Sequence, residues 1–214
     1  NTLPAPRKGF QTVLTYKYVY VLGGVNDGDV DTNTIYQATV NADGSLSTWT
    51  TAAGTLPASI GYAQVAVIRN KVYLIGGKTG STQLTTTYVA TVDDTGVLGA
   101  FTTSVNLPLG LSQAEILVTN TTTYLIGGKT DNSVSNAIYK LSFSTVTGDI
   151  STGWTLEQGI SLPQPVRGAQ LIATRNFVHL IGGSGATTPL NTIYTSELFG
   201  GYGVNDYTRF YNGS

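Results

Sequence analysis

A seven-residue phrase recurs four times in this chain of 214 residues and constrains its fold more than any other feature. The copies are "YVYVLGG" at 18–24, "KVYLIGG" at 71–77, "TTYLIGG" at 122–128 and "FVHLIGG" at 177–183. Each copy joins a short run of β-branched and aromatic residues to a Gly-Gly pair, which is typical of a strand that ends in a tight bend. Self-similarity at an interval of about 50 residues indicates a repeat architecture built from equivalent structural units.

A second landmark, Leu-Pro, fixes the register of the repeat. The distance from the Pro to the next Gly-Gly is 19 residues in every copy, from Pro4 to Gly23 as from Pro163 to Gly182. Length varies only between a Gly-Gly and the next Leu-Pro. We therefore expect each unit to have a rigid inner half and an outer half that tolerates changes in length. The predicted units are 5–57, 58–108, 109–163, and 164–214 completed by 1–4.

Each unit contains four short runs that predict strands. In the second copy they are "YAQVAVIR", "KVYLIGG", "TTTYVATV" and "AFTTSV", and turn residues such as "RN" and "DDTGV" separate them. No segment shows a sustained apolar period of about 3.6 residues, so we expect no helix. Four strands repeated four times predict a single all-β domain over 1–214, a β-propeller with four blades of four antiparallel strands.

Composition excludes several function classes. Charged residues make up 11% of the chain, the formal net charge is −1, and like charges form no run, which argues against binding of nucleic acid. No stretch approaches the roughly 20 consecutive apolar residues of a membrane-spanning helix, so we expect no membrane insertion. The chain has no Cys, which excludes disulfides and zinc-thiolate sites. Because it begins at Asn1, we expect a processed product or a piece of a longer protein.

The repeat resembles the kelch repeat of β-propellers, such as the central domain of galactose oxidase. The resemblance rests on the Gly-Gly pair after an apolar strand, a Tyr about a dozen residues later, and then a large aromatic residue. It departs from the family in a Tyr-to-aromatic spacing of 13 to 15 residues and in having only four copies. The repeats are also similar to those of bacterial surface proteins and phage tail or fibre proteins. The two columns are Tyr36, Tyr88, Tyr139 and Tyr194, then Trp49, Phe101 and Trp154.

The two ends of the chain together complete a fourth unit. Joining them places Phe210 seven positions before Leu3, as Trp49 lies seven positions before Leu56. We therefore expect the last blade to be closed by the N- and C-terminal segments, with Phe210 in the aromatic slot. Such closure would remove open sheet edges. The alternative is an arc cut from a larger propeller.

The single histidine is the first candidate for chemistry. His179 stands three residues before a Gly-Gly, in a column that is otherwise Tyr20, Tyr73 and Tyr124, so we interpret it as a packing residue. The copper site of galactose oxidase needs two His and a Tyr–Cys cross-link. This chain has one His and no Cys, so the resemblance implies no such activity.

A polar column lies seven residues after each Leu-Pro proline, within the predicted innermost strand. These side chains are expected to face one another around the central channel and to form a ring of hydrogen bonds. The alternative is a site for an ion or a small ligand, with a single carboxylate as its charge. The column consists of Gln11, Gln64, Glu115 and Gln170.

The loop "NDGDVDTN" places Asp27, Asp29 and Asp31 at alternate positions after the first Gly-Gly. Calcium prefers several oxygen ligands from one short loop, so a calcium site is an open alternative here. The other blades carry no equivalent triad, and the EF-hand pattern is absent. A solvated acidic loop with no cofactor is the favoured interpretation.

The loops after the four Gly-Gly pairs are nearly constant in length and differ in chemistry, which is typical of a binding face on a constant scaffold. We expect a non-catalytic binding or structural module, exposed outside the cell or on a virion. Its partners would be a glycan or protein receptor, or neighbouring virion or surface proteins. The alternative is a sugar-processing enzyme resembling sialic acid mutarotases, with Glu115, Arg167 and Glu197 as candidate groups. The predicted binding residues are Arg7, Asp27, Asp29, Asp31, Lys78, Lys129, Asp131 and Arg167.

Overall fold

A computed structural model describes residues 1–174 and 176–197, together with the backbone of 211–212. The described residues form strands, turns and loops, and none of them belongs to a helix that could cross a membrane. In chain order the strands are β1 (Gln11–Leu14), β2 (Tyr18–Leu22), β3 (Thr34–Thr39), β4 (Thr50–Thr55), β5 (Gln64–Ile68), β6 (Lys71–Ile75), β7 (Lys78–Thr79), β8 (Thr82–Gln83), β9 (Thr87–Thr91), β10 (Thr102–Thr103), β11 (Glu115–Val118), β12 (Thr122–Ile126), β13 (Ala137–Ser142), β14 (Thr155–Ser161), β15 (Gln170–Ala173), β16 (Phe177–Ile181), β17 (Ile193–Glu197) and β18 (Tyr211–Asn212).

The strands form four antiparallel four-stranded sheets arranged in a ring, which is a four-bladed β-propeller. Blade 1 has the order β1-β2-β3-β4, blade 2 β5-β6-β9-β10, blade 3 β11-β12-β13-β14, and blade 4 β15-β16-β17-β18. The innermost strand of each blade touches that of the next along the series β1, β5, β11 and β15. The predicted fold class, blade number and strand order are confirmed. The short hairpin β7–β8 was not predicted, and it lies in the loop after the second Gly-Gly.

The Gly-Gly column is explained by backbone geometry and close approach. Gly23 and Gly24 have φ angles of 59° and 90°, a region that residues with a side chain rarely adopt. A Cβ atom on Gly23 would lie 2.5 Å from the carbonyl oxygen of Ile60, and the N–H of Gly24 donates to that oxygen at 2.8 Å. The first three Gly-Gly pairs therefore let the next unit's Leu-Pro segment dock against the end of the strand.

Three hydrophobic clusters hold neighbouring blades together. Between blades 1 and 2, Tyr20 and Leu22 pack with Leu74 and Phe101. A second cluster joins blades 2 and 3 around Trp154, and a third joins blades 3 and 4. The aromatic column of the sequence thus supplies interface residues in blades 2 and 3, where Phe101 and Trp154 pack against the preceding blade, whereas Trp49 is half-buried and belongs to none of the three clusters. Burial of such large side chains contributes about 1.5–3 kcal/mol each.

The fourth interface, which we call the seam, lies between blade 4 and blade 1 and differs from the other three. Among the described residues it has no comparable cluster. Ile172, Ile181 and Ile193 are 54%, 42% and 47% exposed, although their equivalents in blades 1 to 3 are buried. Blade 4 thus has an apolar residue at each of these three positions, but the face that the three residues form remains exposed. Those buried equivalents are Val13, Ala66 and Leu117; Leu22, Ile75 and Ile126; and Ile35, Thr87 and Ile138.

The closure of the last blade is seen in part. The C-terminal strand β18 pairs with β17 and forms the outermost strand of blade 4. Phe210 lies outside the described residues. Leu3 is only half-buried and does not contact Gly182, whereas Leu56 is 1% exposed and its Cδ1 would lie 3.0 Å from a Cβ on Gly23. The N-terminal Leu-Pro segment therefore does not reproduce at the seam the contact that its counterparts make elsewhere.

Removing the Tyr73 hydroxyl by Tyr73→Phe is expected to lower the free energy of unfolding by about 1 kcal/mol. The hydroxyl is buried and donates to the Gly148 carbonyl in blade 3 at 2.8 Å, so its loss leaves that acceptor without a donor. The matched control is Tyr88→Phe, because the Tyr88 hydroxyl has no partner among the described residues. Denaturant unfolding of both variants measures the difference, and equal losses would contradict the assigned bond.

Candidate functional site

The loops after the four Gly-Gly pairs emerge on one face, here called the loop face. In each blade the same antiparallel bridge ties the loop to the Leu-Pro connection, and its N–H to O distances in blade 1 are 3.0 and 2.7 Å. The rigid inner half of the repeat therefore presents four loops with different side chains at equivalent positions. The bridged pairs are Lys8 with Val25, Gly61 with Lys78, Ser112 with Lys129, and Arg167 with Ser184.

Asp31 on the loop face ties blade 1 to blade 2. Its side chain is 4% exposed and accepts bonds from the Lys78 ammonium at 2.9 and 3.0 Å and from the Gly80 N–H at 2.7 Å. A carboxylate taken out of water needs such partners, since leaving it unpaired would be costly. Two predicted binding residues, Asp31 and Lys78, thus bind each other.

The remaining aspartates of the first loop, Asp27 and Asp29, differ in their contacts. Asp29 forms an ion pair with Lys8, and this hydrogen bond holds the pKa of its carboxyl below the usual value. Asp27 is exposed and has no partner among the described residues. No group of three or more His, Cys, Asp or Glu side chains in 1–174 and 176–197 is placed to hold a metal ion.

The third loop makes a similar contact with its neighbour. Asp131 accepts a bond from the backbone N–H of Gln83 in blade 2 at 2.7 Å. Gln83 is buried, and its side-chain oxygen accepts a bond from the Ser112 hydroxyl. The ammonium of Lys129 has no partner among the described residues. Of the predicted binding residues, Asp27 and Lys129 therefore leave their charged groups available to a partner.

The two predicted arginines are engaged within the protein. One Nη of Arg7 donates to the Tyr36 hydroxyl at 2.8 Å, and the guanidinium carbon lies 5.1 Å from the centre of that ring. Arg167 donates to the Gln113 side-chain oxygen at 3.0 Å. Arg7 occupies the position held by apolar Ile60 in the next unit, so here it covers the tyrosine of its own blade.

The polar column lies on the innermost strands, as predicted, and its members form hydrogen bonds with nearby backbone groups. Gln11 donates to the Ala63 carbonyl of blade 2 at 2.8 Å, and Gln170 donates to Ala169 at 2.9 Å. Glu115 accepts a hydrogen bond from the Leu171 N–H of blade 4, yet burial raises the pKa of its carboxyl to about 7. Gln11 and Glu115 thus each link their inner strand to that of the next blade, whereas Gln170 bonds the residue before it and the Gln64 side chain has no hydrogen-bond partner among the described residues.

The alternative catalytic groups occupy different parts of the ring. Glu115 lies on the channel wall, Arg167 on the loop face, and Glu197 at the far end of β17. His179 Nδ1 lies 3.0 Å from the Thr195 hydroxyl of the adjacent strand. Glu197 pairs with Phe177 at the end of the strands opposite the loop face, whereas Arg167 bonds Gln113, two residues before Glu115.

A groove on the opposite side was missed from the sequence. This side, here called the hairpin face, carries the connection between the third and fourth strands of blades 1 to 3, such as 40–49. Between blades 1 and 2 it contains a cavity of about 420 Å³. Its apolar lining includes Leu14 and Val67, and its polar lining includes Asn70 and Asp94.

Tyr16 forms one wall of this hairpin-face groove. It stands in the tight turn between β1 and β2 and is 69% exposed. Its hydroxyl donates to the Asp94 carbonyl of blade 2, and a Cβ on Gly96 would lie 3.3 Å from its ring atoms. The ring is therefore exposed but held in place at its edge and at its hydroxyl.

Tyr16 can be recognised in the sequence because it differs in residue type from the equivalent positions of the other three repeats. The equivalent turn positions in the other three units are Arg69, Asn120 and Arg175. Since the turn accepts Arg and Asn, the fold does not require an aromatic residue there. Sequence reasoning overlooked this difference because the groove forms only when two repeats lie side by side.

Comparison with known proteins adds no family assignment. No protein-family model matches the chain. A comparison with curated proteins likewise finds no match.

Proposed function

We propose that this chain is a non-catalytic recognition module of the kelch-like type, which binds a glycan or protein partner through the loop face. The observation that carries the proposal is the identical backbone bridge beneath four chemically different loops. A constant scaffold under variable loops allows the contact residues to change without a cost to the core. The similarity of the repeats to those of bacterial surface and phage fibre proteins supports an extracellular or virion location.

Recognition is preferred over catalysis because most charged groups of the loop face are paired within the protein. Asp31 with Lys78 and Asp29 with Lys8 are ion pairs, and Asp131 accepts a backbone bond. These contacts hold the loops in fixed positions, which reduces the entropy lost on binding. A sugar-processing enzyme is the second candidate, favoured only by the raised pKa of Glu115.

The proposal is tested on a glycan array and a panel of cell-surface receptors, with and without calcium. Substituting Asp27 and Lys129 by Ala should weaken binding of any partner that the screen finds, because neither charged group has a partner among the described residues. The melting temperature should change little, since Asp27 is exposed and such substitutions shift stability by no more than about 0.5 kcal/mol, and half-buried Lys129 has no ion pair there to lose.

The matched control is Asp43→Ala, which removes an exposed charge from the hairpin face. If Asp43→Ala weakens binding and the loop-face pair does not, the loop face is the wrong surface. Calcium-dependent binding that survives Asp27→Ala would place any ion away from the first loop.

A further inference from the structure

We propose that the hairpin-face groove between blades 1 and 2 binds a neutral pyranose sugar that stacks on Tyr16. This site is independent of the loop face, because the groove lies at the other end of the strands. The cavity of about 420 Å³ is within the range of small-molecule sites, which is about 300–1,000 Å³.

The aromatic wall is the first element of such a site. The C–H groups of a pyranose form an apolar patch that packs on an aromatic face, and Tyr adds little conformational entropy cost. Tyr16 is 69% exposed, but its hydroxyl bond to the Asp94 carbonyl and its contact with Gly96 fix the ring. A wall held in place before binding is what an effective site requires.

Polar groups for sugar hydroxyls line the same groove. The Asn70 amide supplies donors and an acceptor, and the Asp94 carboxylate supplies acceptors. Neither side chain has a hydrogen-bond partner among the described residues, and both are exposed. Asn70 and Asp94 line the blade 2 side of the groove and Tyr16 lines the blade 1 side, so a sugar ring stacked on Tyr16 would have these polar groups within the same groove.

Charge in the groove selects against acidic sugars. Asp93 stands beside Asp94, and its carboxylate is held by the Thr95 N–H at 2.8 Å and the Val97 N–H at 2.9 Å. These bonds keep the pKa of Asp93 below its usual value, so its carboxylate is charged at neutral pH. The groove lining thus holds two aspartates and one cation, Arg69, whose Nε donates to the Thr145 carbonyl of blade 3 at 2.7 Å. Like-charge repulsion then disfavours a sugar carboxylate.

The test is saturation-transfer NMR on the full chain with methyl glycosides of glucose, galactose and mannose, N-acetylglucosamine, glucuronic acid and sialic acid. At least one neutral sugar is expected to bind and the two acidic sugars to bind more weakly. Tyr16→Ala should weaken that binding about tenfold, since the stacking surface is lost, whereas Tyr16→Phe should retain most of it.

Two further variants keep the result interpretable. Asn70→Ala should also weaken binding, which gives a second readout at a position away from the turn. Thr51→Ala, at an exposed position of the outer strand β4 and away from both the groove and the loop face, is the control and should leave sugar binding unchanged. The proposal is overturned if no neutral sugar binds, if Tyr16→Ala binds as tightly as the natural chain, or if an acidic sugar binds best.

Discussion

Replacing Glu115 by Gln is expected to stabilise the protein by about 3 kcal/mol above pH 8 and to leave it almost unchanged below about pH 4.5. Burial raises the pKa of this carboxyl from 4.5 to about 7. Between these values the folded state holds a proton that the unfolded state has released, so the stability of the natural chain falls as pH rises. Gln also accepts the Leu171 N–H bond, but it carries no charge to bury.

Denaturant unfolding of both proteins at several pH values between about 4.5 and 8 measures this difference. Comparing the two at each pH cancels the contributions of the other carboxylates, whose protonation changes over the same range. Glu197→Gln is the control, because it removes an exposed carboxylate that burial does not destabilise. A pH-independent difference between the natural chain and Glu115→Gln would show that the channel wall is hydrated around Glu115.

Truncating Ile126 to Ala is expected to cost about 3 kcal/mol, whereas Ile181→Ala should cost about 1 kcal/mol or less. The two residues occupy the same position of the repeat, immediately before a Gly-Gly. Ile126 is 3% exposed in the cluster between blades 3 and 4, and Ile181 is 42% exposed at the seam. Only the first substitution leaves a cavity in a packed interface.

The pair is its own matched control, since the chemical change and the strand position are the same. Thermal or denaturant unfolding at one protein concentration provides the comparison. Equal losses at the two positions would show that the blade 4 face is buried in solution and that the seam is packed like the other interfaces.

The fold could be predicted because its determinants are repeated along the chain. The spacing from Leu-Pro to Gly-Gly is constant because both ends of that segment dock on neighbouring blades: in the second unit Ile60 docks against Gly23 of blade 1, and Gly76 receives Leu111 of the third unit. Each strand is also marked by flanking turn residues and by an alternation of apolar and polar side chains. Signals of this kind lie within a single repeat and do not depend on contacts with the neighbouring repeats.

The candidate site could be predicted less well because it depends on contacts between repeats. Asp31 and Lys78 both look like free loop charges in the sequence, and their pairing appears only when blades 1 and 2 are adjacent. The exposure of Ile172 has the same origin. Its column is apolar in all four units, so no residue of blade 4 signals that the covering contact is missing.

The seam determines how the ring comes apart. In a circular array of equivalent units every unit is held on both sides, and opening any one of them breaks two contacts. Here blade 4 is held by one apolar cluster among the described residues, on the side of blade 3. The energetics are then those of a linear array with an end, where loss of the terminal unit precedes loss of the interior. Fraying should begin at β15–β17 and reach blades 2 and 3 last.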